Sequence, residues 1–64
     1  SMPVTIIVQV NGKRRGSFIA DRGSAKEQLQ ETALALPFVE KWTENKEVKT
    51  VIVVPDRLVN IVVV

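Results

Sequence analysis

The chain has 64 residues and a net charge of +2, and 45% of its residues are hydrophobic. That length supports one domain, close to the lower limit at which a single hydrophobic core can hold a fold. The absence of cysteine and histidine excludes a disulfide framework and a thiolate metal site, and it removes the usual general base of enzymes.

The start of the chain indicates no targeting segment. Ser1-Met2 is interpreted as a cloning remnant joined to a start codon, so the predicted domain covers residues 3–64. Cations follow the first apolar run instead of preceding it, unlike a signal peptide, and polar residues interrupt every apolar run well short of a membrane span. We expect a cytoplasmic protein.

Asn11-Gly12 marks the first predicted hairpin. A type I′ turn needs positive φ at both central residues, which asparagine and glycine tolerate, and the flanking residues favour strands. The pattern predicts strands over residues 4–10 and 13–20. Three cations follow the turn at once, so the hairpin is expected to be a rigid finger with a basic tip.

Pairing across a two-residue turn places Val8 opposite Arg15 and Thr5 opposite Phe18, unless a bulge changes the register. The predicted core face then comprises Val4, Ile6, Val8, Val10 and Ile19. Phe18 falls on the opposite face. Because Lys13 and Arg15 would share the core face, we expect the tip to overhang the core while both side chains reach outward.

The middle of the chain predicts two helices. Ser24 and Glu27 read as a capping box that opens the first helix. An apolar stripe follows at helical spacing, formed by Leu29, Ala33 and Leu36. Pro37 either ends that helix or begins another. Phe38 and Trp42 lie one turn apart, and in so small a domain they are expected to belong to the core.

The last stretch predicts a second hairpin, with strands over residues 48–54 and 58–64 and a turn at Pro55-Asp56. Its near-continuous β-branched runs are typical of central strands buried on both faces. The order strand, strand, long helix, short helix, strand, strand (ββααββ) predicts an α+β fold, with the helices on one face of a small sheet.

No catalytic constellation is present, and the candidate functional surface is basic. Lys13, Arg14 and Arg15 follow the first turn, and no acid precedes Asp21. From that residue onward, six cations are set against seven acids. Arginine can fork onto two phosphate oxygens, so the cluster is suited to a phosphate backbone. The alternative is that charges on a strand edge only prevent aggregation.

Other candidates have structural alternatives. Asn11 is explained by its turn, and Asn60, inside an apolar strand, either bonds the turn backbone or faces a ligand. Arg57 would extend the basic cluster if both hairpin tips point the same way. Trp42 and Phe38 could stack on bases instead of filling the core.

Two segments carry a family resemblance. Residues 8–16 read VQVNGKRRG and residues 49–63 read KTVIVVPDRLVNIVV. Together, in this order and at this separation, they resemble the extreme C-terminal domain of bacterial-type leucyl-tRNA synthetases. That family shows V-Q-V-N-G-K-x-R-G, a helical middle, and V-x-V-P-G-K/R-L-V-N-I/L-V-V. The resemblance spans nearly the whole chain.

The resemblance implies an appended tRNA-binding module that docks on the tRNA elbow, where the D- and TΨC-loops meet. Its implied partners are a leucine tRNA and the rest of the synthetase, with no membrane or DNA partner. It implies no cofactor for this segment, since ATP-dependent leucine activation, aminoacyl transfer and editing belong to other domains. The implied tRNA-facing residues are Asn11, Lys13, Arg14, Arg15, Arg57 and Asn60.

One residue departs from the family pattern. Asp56 stands where the family usually has glycine, and Pro-Asp favours a type I turn where Pro-Gly favours type II. The second tip is therefore expected to bend differently. A rival interpretation is a protein-interaction or structural module that pairs through an open sheet edge and the strand ending at residues 62–64.

Overall fold

The chain forms two β-hairpins joined by two helices, as a computed structural model describes for residues 2–64. Ser1, half of the interpreted cloning remnant, lies outside the described residues. The elements are β1 (Pro3–Val10), β2 (Lys13–Asp21), α1 (Lys26–Ala35), α2 (Pro37–Thr43), β3 (Val48–Val54) and β4 (Leu58–Val63). This order confirms the predicted ββααββ arrangement and the α+β fold class.

The four strands form one mixed sheet in the order β2-β1-β4-β3. Each hairpin is antiparallel, whereas the central pair β1 and β4 is parallel, from Ile7 opposite Leu58 to Val10 opposite Ile61. Because β1 and β4 run in the same direction, the turn that follows β1 and the turn that precedes β4 point in opposite directions along the sheet. The two sheet edges are β2 and β3.

Both helices pack on one face of the sheet and build the core there. The fully or nearly fully buried side chains are Ile6, Val8, Val10, Leu29, Ala33, Val39, Val59, Ile61 and Val63. Leu36 and Phe38 pack against this cluster, as the apolar pattern predicts. Burying a set of this kind, at about 1.5–3 kcal/mol for each large side chain, is the main source of stability in a domain without disulfides.

A β-bulge at Arg15 changes the predicted register of the first hairpin. Val8 pairs with Gly16, and Arg15 has no partner on β1. A side chain at the Gly16 position would collide with the ring of Phe38, which lies 2.5 Å from an ideal Cβ there. Arginine in that place would also bury a charge, so the bulge ejects Arg15 and seats the glycine.

The bulge reverses the faces of the rest of β2. Thr5 pairs with Ile19 and Ile6 with Phe18. Phe18 therefore packs against the core, and Ile19 is 66% exposed on the other face. The assignment of Ile19 to the core and of Phe18 to the opposite face is wrong, for this reason.

The sheet face opposite the helices, here called the outer face, is uncovered. Ile52 is 50% exposed and Val54 is 38% exposed, both on the edge strand β3. The prediction that the second hairpin is buried on both faces is therefore wrong. Its β-branched runs reflect strand propensity as well as burial.

The ends of the helices differ from the sequence pattern at one point. α1 begins at Lys26, and Ala25 precedes it without a side-chain cap. The Ser24 hydroxyl donates instead to the carbonyl oxygen of Asp21, at 2.7 Å, so it closes the loop after β2. The predicted capping box is wrong, whereas Pro37 does begin α2 as its first helical residue. Among residues 2–64, neither helix is long and apolar enough to cross a membrane.

Candidate nucleic-acid interface

The first hairpin turns where the sequence predicts. Asn11 has φ 51° and Gly12 has φ 81°, the pair of positive values that a type I′ turn requires. Lys13, Arg14 and Arg15 follow directly and are all exposed. We call these three residues the basic tip.

The turn is fastened to β4 by a reciprocal pair of asparagines. The side-chain oxygen of Asn11 accepts from the Val63 N–H at 2.9 Å, and that of Asn60 accepts from the Gly12 N–H at 3.0 Å. The Asn11 N–H donates to the Ile61 carbonyl at 2.9 Å. The predicted overhang is wrong, because β4 continues beside the turn and holds it. Asn60 bonds the turn backbone, one of its two predicted alternatives.

The cations of the basic tip point to both sides of the sheet edge. Lys13 pairs with Val10 and so shares the side on which the helices pack, while Arg14 takes the opposite side. Arg15, released by the bulge, turns back toward the helices. Its guanidinium carbon lies 3.8 Å from the centre of the Trp42 ring. This geometry is a cation–π contact.

The sequence predicts that Trp42 belongs to the core, but the structure places it at the surface beside the basic tip. Trp42 is 36% exposed, whereas Phe38, one turn earlier on α2, packs against the core. The i, i+4 spacing correctly indicates that the two rings share a helix face. Because the bulge that brings Arg15 onto the ring has no clear sequence signal, the contact could not be predicted.

Arg57 lies away from the basic tip. Leu58 pairs with Ile7, and the Ile7 N–H donates to the Arg57 carbonyl at 2.9 Å, so Arg57 is level with the middle of β1. From strand dimensions, its backbone is about 10 Å along and about 10 Å across the sheet from that of Arg14. The condition that both tips point the same way is not met.

The second turn has the bend that Pro-Gly favours, although aspartate stands in place of the glycine. Asp56 has φ 64°, and the Arg57 N–H donates to the Val54 carbonyl at 3.0 Å. Positive φ at the third position of the turn is the type II signature, so the predicted type I bend is wrong. The Asp56 carboxylate accepts from the Gly23 N–H at 2.8 Å, which fixes the loop after β2 to this turn.

The topology brings one more cation toward the basic-tip end. Lys49 is the unpaired residue of a second bulge, between Val48 and Thr50 at the start of β3. β3 starts at the sheet end where β1 finishes, about three strand spacings, or ~14 Å, from β2. The sequence predicts that the chain from Asp21 onward is close to neutral, because six cations are set against seven acids there. Both sheet edges thus carry a cation at a bulge, an arrangement that opposes edge-to-edge pairing.

The depression found on the helical side of the domain is a weaker candidate for anion binding than the basic tip. A shallow depression of about 500 Å³ on α2 is lined by Pro37, Glu40, Lys41, Thr43 and Glu44, and its two carboxylates disfavour an anionic ligand. Within residues 2–64, no cluster of acidic side chains is arranged to hold a metal ion. The exposed cations at the hairpin tip therefore offer the clearest binding chemistry.

The chain is similar in sequence to a segment of leucine–tRNA ligases. The chain is 57% identical over 60 residues to a leucine–tRNA ligase of Chlorobium phaeovibrioides, which covers 94% of this chain and 8% of the ligase. A leucine–tRNA ligase of Methylocella silvestris is 46% identical over 59 residues, covering 92% of this chain and 7% of the ligase. No family model matches.

A solved structure shows the same fold. It is the ternary complex of LeuRS, tRNA and LeuAMS from Agrobacterium radiobacter K84, and the chain superimposes on part of it with a TM-score of 0.91 at 32% identity. The match covers 97% of this chain and 8% of that one. The chain thus spans less than a tenth of the length of the curated relatives and of the solved structure it matches.

Proposed function

We propose, from the similarity of this chain to a segment of the leucine–tRNA ligases, that it is an appended tRNA-binding module of such an enzyme. It docks on the elbow of a leucine tRNA and helps position the tRNA for leucylation and editing. Those reactions, and the ATP that the first one consumes, belong to the rest of the synthetase chain. The module needs no cofactor of its own.

The observation that carries the proposal is the basic tip on its fastened turn. Lys13, Arg14 and Arg15 are exposed and directly follow the turn. Three hydrogen bonds between the turn and β4 hold the turn in place. Because this backbone is already held in place, it loses little freedom when the cations that it carries meet an array of phosphates. The similar solved structure is a complex with tRNA, which supports tRNA as the partner of the module.

The chemistry favours recognition by shape and charge. Cations bind phosphates regardless of base identity, so the module adds affinity to any tRNA that presents the right backbone. Asn11 and Asn60 act indirectly in this scheme, because their side-chain oxygens are engaged in holding the turn. Selection of leucine tRNA is then shared with other parts of the synthetase.

The expected binding is weak and depends strongly on salt. Each neutralised phosphate adds about 0.7–0.9 to the slope of log K against log salt, so three contacts give a slope of about 2–3. Raising salt from 50 to 200 mM then weakens binding roughly 15- to 60-fold. Tethering to the enzyme offsets this weakness, because a linked module acts at a high effective concentration.

The test is a titration of the chain with a leucine tRNA transcript, followed by amide chemical shifts at low and physiological salt. Arg14→Glu should weaken binding at least fivefold and reduce the salt slope by about one. Lys26→Glu, the charge-matched control on α1, should change affinity less than twofold. Equal effects of the two substitutions would reduce the proposal to non-specific charge attraction.

Arg57→Glu asks how far the interface extends. A loss comparable to that of Arg14→Glu would extend the interface across the sheet to Arg57, about 10 Å along and about 10 Å across from Arg14. An effect no larger than that of the control would confine the interface to the basic tip. Neither result tests the basic tip itself, whose role is tested by comparing Arg14→Glu with Lys26→Glu.

A second candidate function, contact with protein, is favoured by the outer face. Ile19, Ile52 and Val54 are exposed there without a covering element. The open sheet edges are β2 and β3, and β4 lies between β1 and β3, which disfavours pairing of a partner strand along β4. This role predicts salt-insensitive binding to the rest of a leucine–tRNA ligase, abolished by Ile52→Lys and unaffected by Arg14→Glu.

A further inference from the structure

We infer that Trp42 is a positioning residue for Arg15, holding the guanidinium where it can meet an RNA phosphate. This inference rests on the proposed function and deepens it, because it adds a helix residue to a surface otherwise made by one hairpin. The carrying observation is the 3.8 Å contact between the guanidinium carbon and the centre of the Trp42 ring.

The bulge is what makes such a support necessary. Arg15 has no cross-strand partner and lies on the edge strand β2, so its long side chain has no neighbour on β1 to restrain it. A free arginine loses much rotamer freedom when it binds a phosphate. Stacking on Trp42 removes part of that freedom before binding and so lowers the entropic cost of the contact.

The placement of Trp42 follows from a glycine. Gly16 lets the Phe38 ring lie against β2, within 2.5 Å of where a Cβ would be. Trp42 follows Phe38 by one helical turn on the same face of α2. Close packing of the helix on β2 therefore brings the second ring beside the bulged residue.

The contact leaves the arginine able to bind. A cation–π contact uses the flat face of the guanidinium, whereas its N–H donors point outward in the plane of the group. The indole ring carries no charge, so the positive charge of Arg15 is not neutralised as it would be by a carboxylate. The fork of N–H groups remains available to two phosphate oxygens.

The experiment is a double-mutant cycle on tRNA affinity at low salt, using Arg15→Gln, Trp42→Leu and the double variant. If Trp42 acts through Arg15, Trp42→Leu weakens binding about two- to fivefold in the native background. It then adds no further loss once Arg15 is glutamine. Trp42→Phe, which keeps an aromatic face, should recover most of the affinity.

Two controls separate positioning from stability. Val39→Ala removes buried volume from the same helix without touching Arg15 and should leave affinity unchanged at temperatures well below unfolding. Trp42→Leu should also lower the salt slope toward that of Arg15→Gln, which simple loosening of α2 would not do. Equal losses from Trp42→Leu in both backgrounds, or no loss in the native one, would overturn the inference.

A spectroscopic measurement keeps the inference separate from the proposed function. In the free chain, ring currents from Trp42 should shift the Arg15 side-chain resonances, and Trp42→Leu should return them to ordinary values. If the chain shows these shifts but binds no tRNA, the proposed function is rejected, whereas the contact between Arg15 and Trp42 is supported. Unshifted resonances would overturn the positioning role whatever the chain binds.

Discussion

Replacing Gly16 with alanine tests the packing on which the interface is built. An ideal Cβ at this position lies 2.5 and 2.6 Å from two carbons of the Phe38 ring, closer than real contacts allow. Relieving the overlap requires the ring, the helix or β2 to move. Overpacking of this kind typically costs about 1–3 kcal/mol. A domain of this length has a total stability of roughly 3–10 kcal/mol, so the loss is a large fraction of it.

The assay is urea unfolding followed by far-ultraviolet circular dichroism, with a thermal melt as a second measure. For a domain of this size, each kcal/mol lowers Tm by about 4–8 °C, which gives a fall of roughly 5–20 °C for Gly16→Ala. Phe38→Leu removes the two overlapping carbons. The double variant should therefore be more stable than the sum of the single effects predicts, by at least about 0.5 kcal/mol.

Gly12 provides the matched control for this mechanism. It has φ 81° but nothing within 4 Å of an added Cβ, so Gly12→Ala costs about 1–2 kcal/mol through backbone strain alone. Phe38→Leu should not compensate for it, whereas asparagine, which tolerates positive φ, should cost less than alanine. A Gly16→Ala variant as stable as the native chain, or one that Phe38→Leu does not rescue, would refute the packing argument.

Three further substitutions test other contacts. Asn60→Ala should cost about 1 kcal/mol and speed hydrogen exchange at the Gly12 amide, and unchanged exchange by NMR would contradict the fastening of the turn. Asp56→Ala should cost about 1–2 kcal/mol in urea unfolding, through its positive φ and the lost bond from Gly23, while Asp56→Asn should stay within about 0.5 kcal/mol. Leu29→Ala, at a fully buried position, should cost about 2–5 kcal/mol in urea unfolding, and a loss below about 1 kcal/mol would contradict its place in the core.

Local signals predict the elements of this fold well. Asn11-Gly12 and Pro55-Asp56 specify their turns, and Pro37 begins its helix, because each depends on the conformational preference of one or two residues. The type of the second turn was predicted wrongly, since the bond from Gly23, distant in sequence, helps hold Asp56 at positive φ. Tertiary contacts there outweigh the preference of the residue.

The candidate site is harder to predict from the sequence than the elements are, because it depends on the pairing register of the strands and on their order in the sheet. The cations at 13–15 are evident from composition, but the bulge that directs Arg15 onto Trp42 results from the fit between Gly16 and Phe38. Likewise, the distance of Arg57 from the tip follows from the parallel pairing of β1 and β4. Neither fact is encoded in a short segment.

The parallel pairing of β1 with β4 also affects how the chain emerges during synthesis. The bonds that fasten the first turn join residues 48 and 52 positions apart, so β1 keeps an open apolar edge until almost the whole segment has been made. At about 5–20 residues per second, that interval lasts roughly 3–10 s. The first hairpin therefore has to remain soluble with this edge exposed, and the three cations beside its turn favour solubility during that interval.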